Sequence, residues 1–287
     1  MAIYEAFYGF REAPFSLTPD PRFLFMTPDQ REAMAYLTYG IQERKGFLVL
    51  TGEVGVGKTL IVRTLLNQLD ESVETAIVMN AMLTFKQLLG MALLDFGLPL
   101  QGQGKVDMLL TFQQFLLRLR DAGRNAVLVI DEAQNLSPTS LEEFRLLSNL
   151  ETANQKLIQI VLVGQPELKS LLSSHRLRQL RQRIPGIWEL KPLADCRGVG
   201  EYIEHRVRIA SEGRTGGVFD EEAVKEISRY SAGIPRVINV VSDRALLIGY
   251  VQDRKRLGVE IVRNAIDELE RGFRSREPVT GASMTGA

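Results

Sequence analysis

The residues Gly52-Glu53-Val54-Gly55-Val56-Gly57-Lys58-Thr59 fit the spacing G-x-x-x-x-G-K-[ST]. Glycines let a backbone bend its N–H groups onto phosphate oxygens. A helix opening at Lys58 and Leu60 points its positive end at the same anion. In this pattern Lys58 reaches the β- and γ-phosphates and the Thr59 hydroxyl ligates Mg²⁺. An apolar run, Phe47–Leu50, precedes the motif and a helical pattern follows it. That context favours a nucleotide site over a plain glycine-rich turn, so the expected ligands are ATP (with ADP as product) and Mg²⁺.

A second signal is the apolar run Ala126–Ile130 ending in Asp131-Glu132. An Asp at a strand tip can hold the hydration shell of the metal, and the adjacent Glu can orient or deprotonate an attacking water. Without the upstream motif the same pair would read as an N-cap opening the next helix. The base-reading N-K-x-D of GTPases is absent. Gln165 follows the apolar stretch Leu157–Val163, where a polar side chain would sit beside the γ-phosphate; Asn135 is the other candidate, and a simple turn before Pro166 the plain alternative. Arg176, Arg178, Arg181 and Arg183 form a basic stretch that reads as a phosphate-charge stabiliser, a solvated face or a DNA-contacting patch. Arg236 falls in the first turn of a helix opened by Pro235. A cation is unfavourable there without an anionic partner, either a phosphate or a local acid.

The elements that must carry these residues alternate. Strands are expected at 46–51, 75–79, 126–130, 157–163 and 187–190, and helices at 27–45, 58–69, 84–96, 106–122, 138–150 and 166–181. Unbroken apolar strands between helices predict an α/β fold with a parallel sheet covered on both faces. From 195 onward only helices are expected, at 195–210, 220–231, 235–251 and 259–271. The resulting division is a Phe/Pro-rich segment 1–28, a nucleotide-binding α/β domain 29–192, a helical lid 193–272 and a tail 273–287.

The chain has 287 residues, 45% hydrophobic and 24% charged, as globular proteins do. Lys plus Arg and Asp plus Glu number 35 each, so DNA binding would need a local patch and is not favoured. A single cysteine, Cys196, excludes an internal disulfide and reads as a small filler at a helix start. His175 and His205 have no metal-ligand spacing and are expected on helix surfaces; Trp188 is expected in the core. No run is long enough to span a bilayer and the start lacks a signal-peptide pattern, so the expected location is the cytoplasm, with any inner-membrane contact made through a partner.

The stretch Tyr8-Gly-Phe-Arg-Glu-Ala-Pro-Phe-Ser-Leu-Thr-Pro-Asp-Pro-Arg-Phe23, the phosphate-loop motif, Asp131-Glu-Ala-Gln134 and Gly164-Gln-Pro-Glu-Leu168 together resemble the ExeA family. These are general secretion pathway protein A-like AAA+ ATPases, including stand-alone forms of pilus and exosortase systems. The resemblance covers about residues 1–270. It implies an AAA+ fold with a five-stranded sheet, a helical lid and nucleotide-dependent homo-oligomers, as rings or filaments. It makes Gln165 a sensor 1, a departure from the commoner Asn, and Arg236 a sensor 2. Similarity to clamp loaders and RuvB-like helicases makes Arg183, with Arg181 as second choice, an arginine finger. The implied function is ATP hydrolysis coupled to assembly or regulation of a bacterial envelope system for secretion, pili or exopolysaccharide, with envelope-machinery proteins as partners. Related proteins often continue into a membrane segment and a peptidoglycan-binding domain, so direct cell-wall binding is not expected of a chain ending soon after the lid. A DNA-bound transposition regulator of the MuB and TnsC kind is the alternative.

Overall fold

The computed structural model describes residues 3–79, 81–100, 104–151 and 155–274. The expected tail from residue 275 lies outside them. The chain forms two compact units: Pro19–Lys191, and Met1–Thr18 together with Pro192–Ala287. In chain order the elements are α1 (Glu5–Tyr8), α2 (Pro28–Gln42), β1 (Phe47–Gly52), α3 (Lys58–Gln68), β2 (Val73–Val78), α4 (Phe85–Asp95), α5 (Lys105–Asp121) and β3 (Asn125–Ile130). They continue with α6 (Pro138–Leu147), β4 (Gln159–Gly164), α7 (Glu167–Leu172), α8 (Arg178–Arg181) and β5 (Ile187–Leu190). The helices α9 (Cys196–Ala210), α10 (Glu221–Ser231), α11 (Pro235–Val251) and α12 (Val259–Arg274) complete the chain.

The five strands are parallel and ordered β2-β3-β4-β1-β5. Every residue of β1, β3 and β4 is buried, as central strands covered on both faces require. Side chains alternate between two cores. Phe47, Val49, Leu128, Ile130, Ile160 and Leu162 join Leu88 of α4, Phe112 of α5 and Phe144 of α6 on one face. Leu48, Leu50, Val127, Val129, Val161 and Val163 meet Leu37 and Ile41 of α2 and Ile61 and Leu65 of α3 on the other. The α/β architecture with a helical C-terminal region is therefore the one expected. Thr27 caps α2, and with Gln30 it forms a reciprocal capping box, with Pro28 at the first turn.

Three expectations need correction. The single helix over 166–181 is instead α7, a 3₁₀ turn His175–Leu177 and α8. The buried positions Leu168, Leu172, Leu177 and Leu180 show why, because the gap from 172 to 177 breaks the 3.6-residue phase. Trp188 is only half-buried, on the edge strand β5, its ring centroid 6.1 Å from that of Tyr36. His205 is half-buried with its Nε2 enclosed, whereas His175 is exposed.

The irregular aromatic spacing before residue 18 finds its reason in the helical unit. Tyr4 donates a hydrogen bond to Asp243 of α11, and the Tyr8 hydroxyl donates to the Arg254 carbonyl at 3.0 Å. The buried Arg206 of α9 donates to the carbonyls of Pro14 and Ser16. Phe15 packs edge-on to Phe219 at 6.1 Å between centroids.

Candidate active site

Strand order brings the tips of β1, β4 and β3 side by side, and each carries part of the site. After β1 the chain turns through Glu53–Gly57 into α3. Gly57, at the N-cap, has φ 105°, which an L-side chain rarely adopts. Gly52 must lack a side chain for a second reason: a Cβ there would lie 2.6 Å from the Leu190 carbonyl of β5. Val56 is buried beneath the loop and anchors it, while Val54 stands out at 53% exposure.

Lys58 is buried, and its Nζ donates to the carbonyls of Gly52 at 2.6 Å and Glu53 at 2.9 Å. The ammonium therefore lies curled over the loop. Burial pushes it below its ordinary value, and the carboxylates of Glu132, Asp131, Glu53 and Glu167 pull it back up. A buried cation among acids, at a helix N-terminus lined with glycine amides, fits a phosphate chain as ligand.

Asp131 is buried at the end of β3, with both oxygens engaged. Oδ2 accepts from the Thr59 hydroxyl at 2.9 Å and Oδ1 from the Glu132 amide at 2.9 Å. Thr59 and Asp131 thus bring two hard oxygen donors together. Among the described residues no group of three or more His, Cys, Asp or Glu could hold a metal. That donor set suits Mg²⁺, which takes one or two protein oxygens and completes its shell from phosphates and water.

Glu132 adopts left-handed backbone geometry, φ 54°. For a residue with a Cβ this costs about 1–2 kcal/mol. It turns the Glu132 side chain toward β4, where Oε2 accepts from Gln134 Nε2 at 2.6 Å and Gln165 Nε2 at 3.2 Å. Gln165 is therefore joined to Glu132, while Asn135 is exposed. Sequence reasoning used Gln134 only as the end of the Asp131–Gln134 stretch that carries the resemblance and assigned it no role of its own.

The arginines differ in their surroundings. Arg183 Nη1 donates to Asn149 Oδ1, to Ser148 Oγ at 3.2 Å and to the Arg145 carbonyl at 3.4 Å, all at the carbonyl end of α6. Arg181 is exposed, with one bond to the Ser173 carbonyl at 3.4 Å, and Arg176 and Arg178 are exposed too. Arg236 belongs to the helical unit, is exposed as the second residue of α11, and meets no acid among the described residues.

An AAA domain matches residues 41–172, the span from the end of α2 to the end of α7. General secretion pathway protein A of Aeromonas hydrophila is 42% identical over 251 residues, 87% of this chain and 45% of that protein. Over those 251 residues the chain is similar to general secretion pathway protein A, and residues 41–172 carry an AAA domain. It spans less than half the length of that relative. Two solved structures share the fold. Cdc6p from Pyrobaculum aerophilum has a TM-score of 0.68 at 17% identity, covering 89% of this chain and 70% of that one. The ORC2 protein of Aeropyrum pernix has a TM-score of 0.67 at 20% identity, covering 90% and 72%. At such identities they speak for the fold alone. Among the described residues no helix is long and apolar enough to cross a membrane.

Proposed function

We propose that this chain binds ATP with Mg²⁺ and hydrolyses it to ADP and phosphate. The observation that carries the reading is the junction of Lys58, Thr59, Asp131 and Glu132 at neighbouring strand tips, joined by the Thr59–Asp131 hydrogen bond of 2.9 Å. Lys58 and the loop amides bind the phosphates. Thr59 and Asp131 would hold the Mg²⁺, which would supply neutralisation of charge on the transferring phosphoryl group. Glu132, held at Oε2 by two amides, offers Oε1 to a water and takes its proton. Gln165 shares the Glu132 carboxylate and is placed to orient the same water. Glu132→Gln keeps ATP binding and loses hydrolysis by about 10²–10⁴-fold in a steady-state phosphate-release assay; undiminished turnover would show that another group is the base.

Full activity requires a homo-oligomer in this reading, with an arginine from a neighbour beside the phosphates. Of the two candidates, Arg183 is tied to the end of its own chain's α6, and Arg181 is the one left able to reach outward. Arg181→Ala lowers kcat by at least tenfold with unchanged ATP affinity, and rates rise more steeply than linearly with protein concentration. A variant that hydrolyses at the parental rate transfers the role to Arg183. Arg236, exposed at the N-terminus of α11 without an acidic partner among the described residues, is the sensor 2 of this reading.

The likeness to general secretion pathway protein A supports an envelope role, namely assembly or regulation of a secretion, pilus or exopolysaccharide system from the cytoplasmic side. Crosslinking with the ATP-trapped Glu132→Gln variant identifies the client; recovery of no envelope component would count against this part.

A further inference from the structure

Gln134 sits in the 3₁₀ turn Ala133–Asn135, half-buried, two residues beyond Glu132. Its amide is used at both ends. Nε2 donates to Glu132 Oε2 at 2.6 Å, and Oε1 accepts from the Gln165 backbone N–H at 3.1 Å. The chemistry of the partners fixes this orientation: an ionised carboxylate only accepts and a backbone N–H only donates. The contact also shapes β4. A Cβ on Gly164 would lie 2.8 Å from Gln134 Oε1, so the glycine at the strand tip makes room for the bracket.

We infer that Gln134 is a positioning residue for hydrolysis, bracing the Glu132 carboxylate against the tip of β4; this rests on the reading of Glu132 as the group that activates water. The need for a brace follows from geometry. Glu132 has left-handed backbone geometry, and its carboxylate projects from a short turn rather than from a strand or helix. Left to itself such a side chain samples several rotamers, and a displacement of about 1 Å at the reacting centre costs on the order of 10²-fold in rate. Both amide donors converge on Oε2, and among the described residues none donates to Oε1. The bracket thus fixes one oxygen and leaves the other to accept the proton of water. Gln134 also ties Glu132 to the Gln165 backbone, so movement of the β4 tip is passed to the carboxylate. None of these bonds involves Lys58, Thr59 or the loop glycines, so nucleotide affinity does not depend on Gln134.

The test uses the full chain with ATP and Mg²⁺ and compares the parent, Q134M, Q134E, E132Q and the double variant E132Q/Q134M. Q134M keeps the side-chain length and removes both hydrogen bonds. Q134E keeps the acceptor for Gln165 and replaces the donor by an acceptor. Both lower kcat by roughly 10- to 100-fold, while the Kd for a fluorescent ADP analogue stays within about twofold of the parent, below the weakening a lost charged contact gives. The double variant is no slower than E132Q, because a residue that acts through Glu132 has nothing left to position. Parental or raised kcat in both single variants overturns the inference. So does a further loss in the E132Q background, or a Kd that weakens in step with kcat. Failure of the underlying reading looks different: E132Q then retains turnover, whatever the Gln134 variants do.

Discussion

At Lys58 burial and charge act in opposite directions, and the balance sets a pH dependence. Desolvation holds the ammonium below its ordinary value in the free protein, with the surrounding carboxylates opposing it. A bound phosphate chain favours the charged form and raises the value again. Binding therefore takes up a proton once pH exceeds the free-protein value. ATP affinity is full below that point and falls as pH rises through it, at a lower pH than a free lysine would give. Calorimetric titrations in buffers of different ionisation enthalpy check both the decline and the proton uptake. Lys58→Ala removes the pH dependence and weakens ATP binding by about 10- to 100-fold, from a loss of roughly 1.5–3 kcal/mol for a charged hydrogen bond. An alanine variant with the same alkaline decline would place the titrating group elsewhere. That Lys58, Thr59, Asp131 and Glu132 lie together was legible in the sequence because their motifs tie them to the ends of apolar strands and the start of a helix. That Gln134 joins them was not. Its bond to Gln165 spans 31 residues, and a residue two places along a 3₁₀ turn leaves no periodic trace.

Elements were legible where one physical rule dominated. The buried strands announced themselves as apolar runs, and the expected strand at 187–190 coincides with β5. Where two rules competed, sequence reasoning failed. The stretch from Pro166 has helical composition, yet Leu172 and Leu177 must both face the core, and the helix yields at Ser173–Ser174. The same competition makes Gly40 of α2 informative. Alanine in a helix interior is favoured over glycine by about 0.5–1 kcal/mol. A Cβ at Gly40, however, would lie 2.2 Å from Leu48 Cδ2 and 2.8 Å from its Cδ1, with Leu48 on β1 only 1% exposed. Overpacking of a filled core costs about 1–3 kcal/mol, so the clash outweighs the helix propensity. Gly40→Ala should lower stability by roughly 1–2 kcal/mol in a denaturant titration. A stabilised variant would mean that Leu48 can re-pack and that α2 has slack against the sheet.

On the scale of the whole molecule, the first 18 residues were the hardest to place from sequence. Phenylalanines at irregular spacing beside prolines suggested a separate segment, because a packing role for them depends on residues near the far end of the chain. In the structure Tyr4, Tyr8, Phe10 and Phe15 are each buried, and they belong to the unit that holds α9–α12. That unit is discontinuous, whereas Pro19–Lys191 is one continuous stretch with its own cores on the two faces of its sheet. Units with separate cores can open at different free energies. Phe15, 1% exposed and packed on Phe219, is the most enclosed of the four aromatics, and truncating a buried phenylalanine costs about 3–5 kcal/mol. The loss should fall on the unit that contains it. In hydrogen exchange, Phe15→Ala accelerates amides of α9, α10 and α11 by orders of magnitude and leaves those of β1, β3 and β4 at the parental rate. Lys58 and Asp131 stand on the protected side, so the affinity for ADP persists in this variant. If sheet and helix amides accelerate together, the chain unfolds as one cooperative body, and the N-terminal aromatics support the nucleotide site as much as the helices around them.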